Sequence, residues 1–151
     1  MSKIIFAAFI GGALLPGCTN QSGATMGLFS ATAPVIAILA DDLFLGEAEG
    51  YASGSGTITI QSKVNADIRY IGQFRYTAGL SGSGQMQCND GSVAIFQFQG
   101  LSMLSGYGFG SSLRGPVSFT YGLTLEEAEK YLKLPQGKVI RRTEKGMNLV
   151  P

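Results

Sequence analysis

The sequence predicts a small, mostly β domain: an antiparallel, Gly-rich sheet that forms a sandwich or a partly closed barrel, with one short C-terminal helix. Short runs that alternate apolar and polar side chains, rich in aromatic and β-branched residues, recur through residues 46–122. Of the 22 glycines, 15 lie in this stretch. Because glycine weakens strands, we expect many of them at turns and bulges. After residue 123 the apolar spacing becomes helical.

The composition excludes several classes of function. With 151 residues the chain has room for one small domain. Its 11 basic and 10 acidic side chains leave a net charge of +1, far from the clustered positive charge that nucleic-acid binding needs. The absence of His removes the most common proton-transfer group and zinc ligand. We therefore expect no nucleic-acid partner, no metal, no cofactor and no catalytic residue.

The N-terminus has the pattern of an export signal. One basic residue, Lys3, precedes an apolar run over residues 4–15. This run is too short to span a bilayer, which needs about 20 residues. Its length matches the apolar centre of a secretory signal peptide, so we expect an exported protein.

Residues 15–18, with the sequence LPGC, end the apolar run and resemble the lipobox of bacterial lipoproteins. The resemblance implies a signal peptide over residues 1–17, cleavage before Cys18, a diacylglycerol on its thiol and a further acyl group, typically palmitate, on its new amino group. Thr19 stands where an Asp would resemble an inner-membrane retention signal, so the implied place is the outer membrane, on the periplasmic face. The alternatives are an ordinary secretory signal with an incidental Cys18, or a buried hydrophobic helix.

Residues 18–33 are predicted to form a flexible tether. They carry no charge and are rich in small and hydroxyl side chains. The rest of the chain, residues 34–151, is predicted to fold as a single β-rich domain.

Residues 34–45 are apolar apart from Asp41 and Asp42. Their pattern fits either a helix or a short buried strand over residues 35–39. In both elements adjacent side chains point in different directions. We therefore interpret the two aspartates as part of a turn, and not as a metal site or an acid–base pair.

Three later stretches alternate with period two: residues 57–60, 68–76 and 117–121. In each of them aromatic or β-branched side chains recur at every second position, and polar side chains lie mainly at the positions between them. This pattern predicts antiparallel strands with one face in solvent.

The clearest single unit is a hairpin over residues 83–98. We prefer a three-residue loop of Asn89, Asp90 and Gly91, with Gly91 left-handed in a bulge, over a two-residue Asp-Gly loop. The longer loop pairs Cys88 with Ser92 and places apolar side chains on one face, whereas a slip of one residue mixes polar with apolar. Cys88 is then a buried core residue, with an intermolecular disulfide as the alternative.

The same region resembles one unit of the MORN repeat family. Residues 70–74 (YIGQF) are followed by the GxG of residues 82–84 and the DGS of residues 90–92. MORN proteins stack many such units into a ribbon, so one unit of this kind implies glycine-punctuated β-hairpins.

Two further patterns have structural explanations. Residues 106–110 (GYGFG) are interpreted as a turn at a strand edge, because the Lys of a phosphate-binding loop does not follow. Several aromatic side chains are interpreted as core packing and not as a ligand-stacking face. They are Tyr70, Tyr76, Tyr107, Phe109 and Tyr121.

The C-terminal part begins with a capping box, formed by Thr124 and Glu127, that predicts a helix near residues 125–133. Residues 135–137 (PQG) are expected to end it, and Val139 and Ile140 to form one more strand. Four basic residues form a candidate surface for an acidic partner or for lipid headgroups, with a solvated tail as the alternative. They are Lys138, Arg141, Arg142 and Lys145.

These observations predict a non-enzymatic envelope lipoprotein: a structural, assembly or binding subunit with a membrane anchor and a protein partner. The alternative is a periplasmic enzyme, or an enzyme inhibitor, that acts on envelope glycan or protein. Glu47, Glu49 and Asp67 are the only candidates for a shared polar site. An enzyme of this kind would use them as a glycan-cleaving acid–base pair.

Overall fold

The structure, a computed structural model, describes residues 23–151. The predicted signal peptide, Cys18 and the first part of the predicted tether lie outside the described residues.

The described chain is almost entirely β. The elements are β1 (Thr25–Met26), β2 (Ser30–Leu39), β3 (Asp42–Tyr51), β4 (Ser55–Ser62), β5 (Arg69–Ala78), β6 (Ser81–Cys88), β7 (Val93–Ser102), β8 (Ser105–Ser112), β9 (Gly115–Tyr121), α1 (Leu125–Ala128), β10 (Val139–Thr143) and β11 (Gly146–Val150). The predicted fold class, mostly β with one short C-terminal helix, is confirmed.

Strands β2 to β9 form a closed antiparallel barrel. Each strand pairs with the next along the chain, and β9 pairs back with β2, so that Ala37 lies opposite Phe119. Of the two predicted architectures, sandwich and partly closed barrel, the barrel is correct. The short strand β1 pairs with the start of β2, and β10 and β11 form a separate hairpin.

The barrel interior is filled by the apolar side chains that occupy every second position of each strand. The alternation predicted for β4, β5 and β9 places Ile58, Tyr70 and Phe119 inside. Aromatic rings meet edge to face, which is a favoured geometry for aromatic pairs. Phe98 makes three such contacts, with ring centroids 5.5 Å from Phe74, 5.2 Å from Tyr76 and 6.1 Å from Tyr121.

The prediction that many glycines lie at turns is wrong for most of the glycine-rich stretch. Eleven of its 15 glycines belong to strands, where most of them alternate with larger inward residues. An added Cβ at Gly108 would overlap the Phe119 ring and the Gln97 carbonyl oxygen. Five of these glycines leave room for an aromatic ring of a neighbouring strand, and most of the others leave room for neighbouring backbone. The five are Gly56, Gly82, Gly84, Gly106 and Gly108.

The turn predicted at residues 106–110 is also wrong, because these residues belong to strand β8. Their glycines face inward, while Phe109 is exposed and Tyr107 is half-buried on the outer wall. Tyr107 stacks on Tyr131, with ring centroids 4.4 Å apart. Core packing is therefore correct for the other three predicted aromatics, Tyr70, Tyr76 and Tyr121.

The ambiguous residues 34–45 form the end of β2, a turn and the start of β3. β2 lacks alternation because both of its faces are buried: Val35 faces the barrel interior, and Ile36 faces a second apolar cluster outside. The turn lies at Ala40 and Asp41, which have φ angles of 51° and 67°. The turn predicted from the aspartate pair is confirmed, although Asp42 already belongs to β3.

The predicted tether is too long at its C-terminal end. β2 begins at Ser30, so residues 30–33 are strand residues that pair with β3. Ala33 is buried in the barrel core, which explains why this small-residue segment is ordered.

The predicted hairpin is confirmed in register and in loop type. Cys88 N donates to Ser92 O at 2.8 Å, and Gly91 N donates to Cys88 O at 2.9 Å. Gly91 has a φ of 90°. Met86 and Cys88 share the interior with the apolar residues of β7, as the three-residue loop requires.

Replacing Gly91 by Val tests this turn. A β-branched residue is strained at a φ of 90°, so we expect Gly91→Val to lower the free energy of unfolding by roughly 1–3 kcal/mol. Urea denaturation measures the change. Gly137→Val, at another left-handed turn with open space around it, should show the same loss. Wild-type stability in Gly91→Val would contradict the bulged turn.

Helix α1 begins at the predicted capping box but is shorter than expected. Glu127 N donates to Thr124 Oγ1 at 3.3 Å, and Thr124 N donates to Glu127 Oε2 at 3.0 Å. The helix ends at Ala128, well before residue 133 and the PQG sequence. After it, Lys130 N and Tyr131 N donate to carbonyl oxygens three residues before them, and the Tyr131 ring stacks on Tyr107.

The C-terminal segment covers the outside of the barrel over β2 and β3. Ile36, Ile38 and Leu43 of the barrel wall pack against Leu132 and Ile140. The predicted strand at 139–140 is confirmed as β10, and its partner β11 was not predicted. The same coverage buries two polar side chains of β9 that the alternation predicted in solvent, Ser118 and Thr120.

Candidate functional site

The two ends of the barrel have different chemistry. The end at which β2 begins and β9 ends is called the mouth. It consists of residues 23–30, 51–54, 78–81, 101–105 and 121–124. The opposite end is called the far end. It consists of residues 39–42, 62–69, 88–92 and 112–116.

Charge is segregated between these ends. None of the residues of the mouth is Asp, Glu, Lys or Arg. The far end carries seven charged residues: Asp41, Asp42, Lys63, Asp67, Arg69, Asp90 and Arg114. The turns of the mouth are therefore unusual for a protein surface, since solvent-exposed turns are normally polar.

The mouth also exposes large apolar side chains. Leu28 is 88% exposed and Met103 is 74% exposed, and Phe29 is exposed between β1 and β2. Tyr51 and Leu80 are also exposed there. An open apolar groove joins these side chains, from the Met26–Phe29 segment to Met103 and Leu104. A contiguous apolar surface of this kind marks an interaction site.

The groove leads into the barrel interior. A cavity of about 50 Å³ lies beneath it, lined by inward residues that include Tyr76, Phe98 and Tyr121, and also by Met103 of the mouth. It is small: by volume it holds only a few water molecules. Its lining is apolar except for the two tyrosine hydroxyls.

Tyr121 is the unusual member of this lining. Its side chain is buried, and its hydroxyl has no hydrogen-bond partner in the described residues. Burial raises the pKa of Tyr121, and the nearby Tyr76 raises it further. Burial also raises the pKa of Tyr76. Both hydroxyls therefore stay protonated at physiological pH and are available as donors.

Replacing Tyr121 by Phe should stabilise the protein. An unpartnered buried hydroxyl costs about 1–3 kcal/mol of desolvation, so we expect Tyr121→Phe to raise the free energy of unfolding by about 1 kcal/mol in urea. Tyr70→Phe is the matched control, because the Tyr70 hydroxyl lies 3.2 Å from Ser92 Oγ; it should lose about 1 kcal/mol. Equal losses in both variants would show that the Tyr121 hydroxyl has a partner in solution.

The far end is closed by polar contacts. Asn89 joins two turns: its Nδ2 donates to Asp67 O at 2.6 Å, and its Oδ1 accepts from Arg69 N at 3.2 Å. Hydrogen bonds from the Ser92 backbone and hydroxyl, and then from Arg114, hold the pKa of Asp90 well below its usual range.

Cys88 lies just inside the far end. It is buried, as predicted, and has no disulfide partner among residues 23–151. Its thiol donates to Asn89 Oδ1 at 3.1 Å. Cys88 therefore acts as a core residue of the far end.

The predicted basic surface lies on the β10–β11 hairpin and the turn before it. All four residues, Lys138, Arg141, Arg142 and Lys145, are exposed, and none forms an ion pair with another described residue. Gly146, at the hairpin tip, lies beside the ammonium group of Lys63, which belongs to the far end. The tip therefore extends towards the far end and adds positive charge there.

The three carboxylates considered for acid–base chemistry do not converge. Glu47 and Glu49 share the outer parity of β3, as predicted. Tyr51 Oη donates to Glu49 Oε2 at 3.4 Å. Asp67 lies in the turn between β4 and β5 at the far end. Within residues 23–151 no cluster of three Cys, Asp or Glu side chains has the arrangement of a metal site.

The apolar mouth is the feature that sequence reasoning missed. Its exposed residues come from five segments that only the closed barrel brings together. The available signal was the composition of the turns, since those of the mouth lack charge and those of the far end have it.

No helix in the part of the chain described here has the length and hydrophobicity that a membrane crossing requires. Comparisons with family models, curated proteins and solved structures found no match to this chain.

Proposed function

We propose that this chain is a non-enzymatic envelope lipoprotein. It is anchored through Cys18 in the outer membrane, faces the periplasm and acts as a structural, assembly or binding subunit for another envelope protein. One observation carries the proposal: the described chain begins at the uncharged, apolar mouth, whereas the turns of the opposite end carry seven charged residues.

The anchor is supported by the place where the chain enters the barrel. Thr25 and Met26 pair with Thr32 and Ala31 at the start of β2, so the segment from the LPGC sequence arrives beside the mouth. A lipid on Cys18 would hold this end of the barrel close to the membrane. The end with the greatest apolar exposure is then the end closest to lipid.

The partner surface is supported by the opposite polarity. The β10–β11 hairpin carries three basic residues, Arg141, Arg142 and Lys145, against one acidic residue, Glu144. Its tip lies beside Lys63, away from the anchor. An acidic surface on a second envelope protein complements this charge. A tethered domain that binds through its far end needs neither a cofactor nor a catalytic group.

Lipid labelling tests the anchor. Cells that express the wild-type protein are grown with labelled palmitate, and the purified protein should carry the label. Cys18→Ser removes the only thiol at which a diacylglycerol can be attached in this region, so this variant should carry none and should keep its signal peptide. Cys88→Ser is the matched control and should remain labelled. Label in Cys18→Ser at the wild-type level would refute the anchor.

Affinity purification tests the partner. The lipidated protein is purified from detergent-solubilised envelopes, and one protein should accompany it in a stoichiometric amount. Arg142→Glu with Lys145→Glu reverses the charge of the hairpin tip and should release this protein. Lys130→Glu with Lys133→Glu makes the same change in charge outside the β10–β11 hairpin and should retain it. Equal retention by both double variants would contradict the proposed surface.

The enzymatic alternative is tested through its own residues. Glu47→Gln, Glu49→Gln and Asp67→Asn should each restore the wild-type phenotype to a deletion strain. If any one of them fails to restore the phenotype, while lipid labelling and melting temperature are unchanged, the result would contradict the binding function and support an enzymatic one.

A further inference from the structure

We propose that the barrel stands with its mouth on the membrane, so that the apolar side chains of the mouth insert into the lipid interface. The occupant of the groove is the lipid bilayer surface. This inference rests on the proposed anchor, and it adds an orientation and a direct protein–lipid contact that the anchor alone does not require.

The length of the chain between the anchor and the barrel limits the geometry. Four residues lie between Cys18 and Gly23, which makes five Cα-to-Cα steps, and an extended chain spans at most about 3.6 Å per step. The Cα atoms of Cys18 and Gly23 are therefore within about 18 Å of each other. An acylated Cys18 at the membrane surface keeps the start of the barrel within that distance of the lipid.

The mouth has the composition of a surface that enters an interface. Leu28, Phe29 and Met103 are highly exposed and lie on turns. Apolar side chains of this size bind at the boundary between headgroups and acyl chains, where aromatic rings are also favoured. Because the turns that carry these three side chains contain no charged residue, they bring no ionised group of their own into the interface.

The far end has the opposite properties. Its exposed apolar side chains, Val64 and Leu113, stand among charged residues. Desolvating these charges at a membrane is unfavourable. The asymmetry thus selects one orientation, with the mouth in the interface and the far end in solvent.

Single tryptophan probes test the orientation, because the natural chain has no Trp. Met103→Trp places an indole at the mouth, and Leu113→Trp places one at the far end, where Leu113 is 95% exposed. Both native side chains lie on exposed turns, so both variants should fold, and their melting temperatures verify it. Each mature lipoprotein is reconstituted into vesicles of phosphatidylethanolamine and phosphatidylglycerol, with and without bromine on the acyl chains.

We expect the indole at position 103 to emit at shorter wavelength in vesicles and to lose most of its fluorescence to the brominated lipid. The indole at position 113 should keep the emission of a water-exposed probe and remain unquenched. Phe29→Trp should behave like Met103→Trp, because it lies on the same surface.

Two outcomes would overturn the inference. Equal quenching at positions 103 and 113 would show that the barrel has no fixed orientation. An unquenched indole at position 103 would show that lipid does not cover the mouth; if a disulfide then forms between two Met103→Cys chains, a second copy is the occupant. Palmitate labelling keeps the two proposals separate. An unlabelled protein refutes the anchor, whereas a labelled protein with an unquenched mouth refutes only the lipid contact.

Discussion

Gly84→Val is expected to prevent the barrel from closing. Gly84 lies on β6 between Phe74 and Phe96 of the neighbouring strands. An added Cβ there would overlap the Gln73 carbonyl oxygen and lie 2.9 Å from Phe74 Cα, so backbone as well as rings would have to move. Overpacking costs 1–3 kcal/mol where side chains can adjust. Since backbone blocks the site here, we expect a loss above about 3 kcal/mol.

The matched control for this variant is Ser83→Val, on the same strand. Ser83 faces the outer wall, where a β-branched residue fits the pleated surface well. Circular dichroism and urea denaturation of both variants give the comparison. A cooperative transition at wild-type urea concentration in Gly84→Val would show that the interior tolerates the side chain and would refute the role given to the inward glycines.

Phe98→Ala should have the second largest effect. Phe98 is buried and contacts three other rings edge to face at the mouth side of the core. Truncation of a buried Phe to Ala lowers the free energy of unfolding by about 3–5 kcal/mol, because it removes apolar burial and leaves a cavity. The small cavity beneath the mouth would grow, and the Tyr76 and Tyr121 rings would lose a neighbour.

Phe109→Ala controls for the loss of a ring elsewhere in the barrel. Phe109 lies on the adjacent strand β8 but faces outward and is about half exposed. Its removal should change the free energy of unfolding by less than about 1 kcal/mol. Similar losses for Phe98→Ala and Phe109→Ala in urea would contradict the assignment of the interior face.

Local pattern was sufficient for the elements that depend on local chemistry. Alternation identified the inward residues of β4, β5 and β9, because side chains in a strand reverse at every residue. The Asn89–Gly91 loop followed from the requirement that apolar residues share a face. The capping box marked the start of α1 correctly, since it needs only two side chains three residues apart.

The rest depends on neighbours that are distant in sequence. β2 could not be distinguished from a helix because it is buried on both faces, by the barrel and by a segment about one hundred residues later. The glycines inside β8 look like turn residues until the rings of β9 and the backbone of β7 are placed beside them. The mouth likewise exists only after closure, so its candidate residues could not be identified.

The pairing of β2 with β9 also fixes when the domain can finish folding. Ala37 and Phe119 are partners although they stand roughly eighty residues apart, and such distant pairings slow folding because loop closure must precede them. The seven hairpins between β2 and β9 can form as the chain emerges, but the first strand keeps an open edge until the last one arrives. When the chain emerges with its N-terminus first, the edge of β2 therefore stays unpaired until β9 has emerged, which is almost the whole domain. During that time β2 can pair with a strand of another chain.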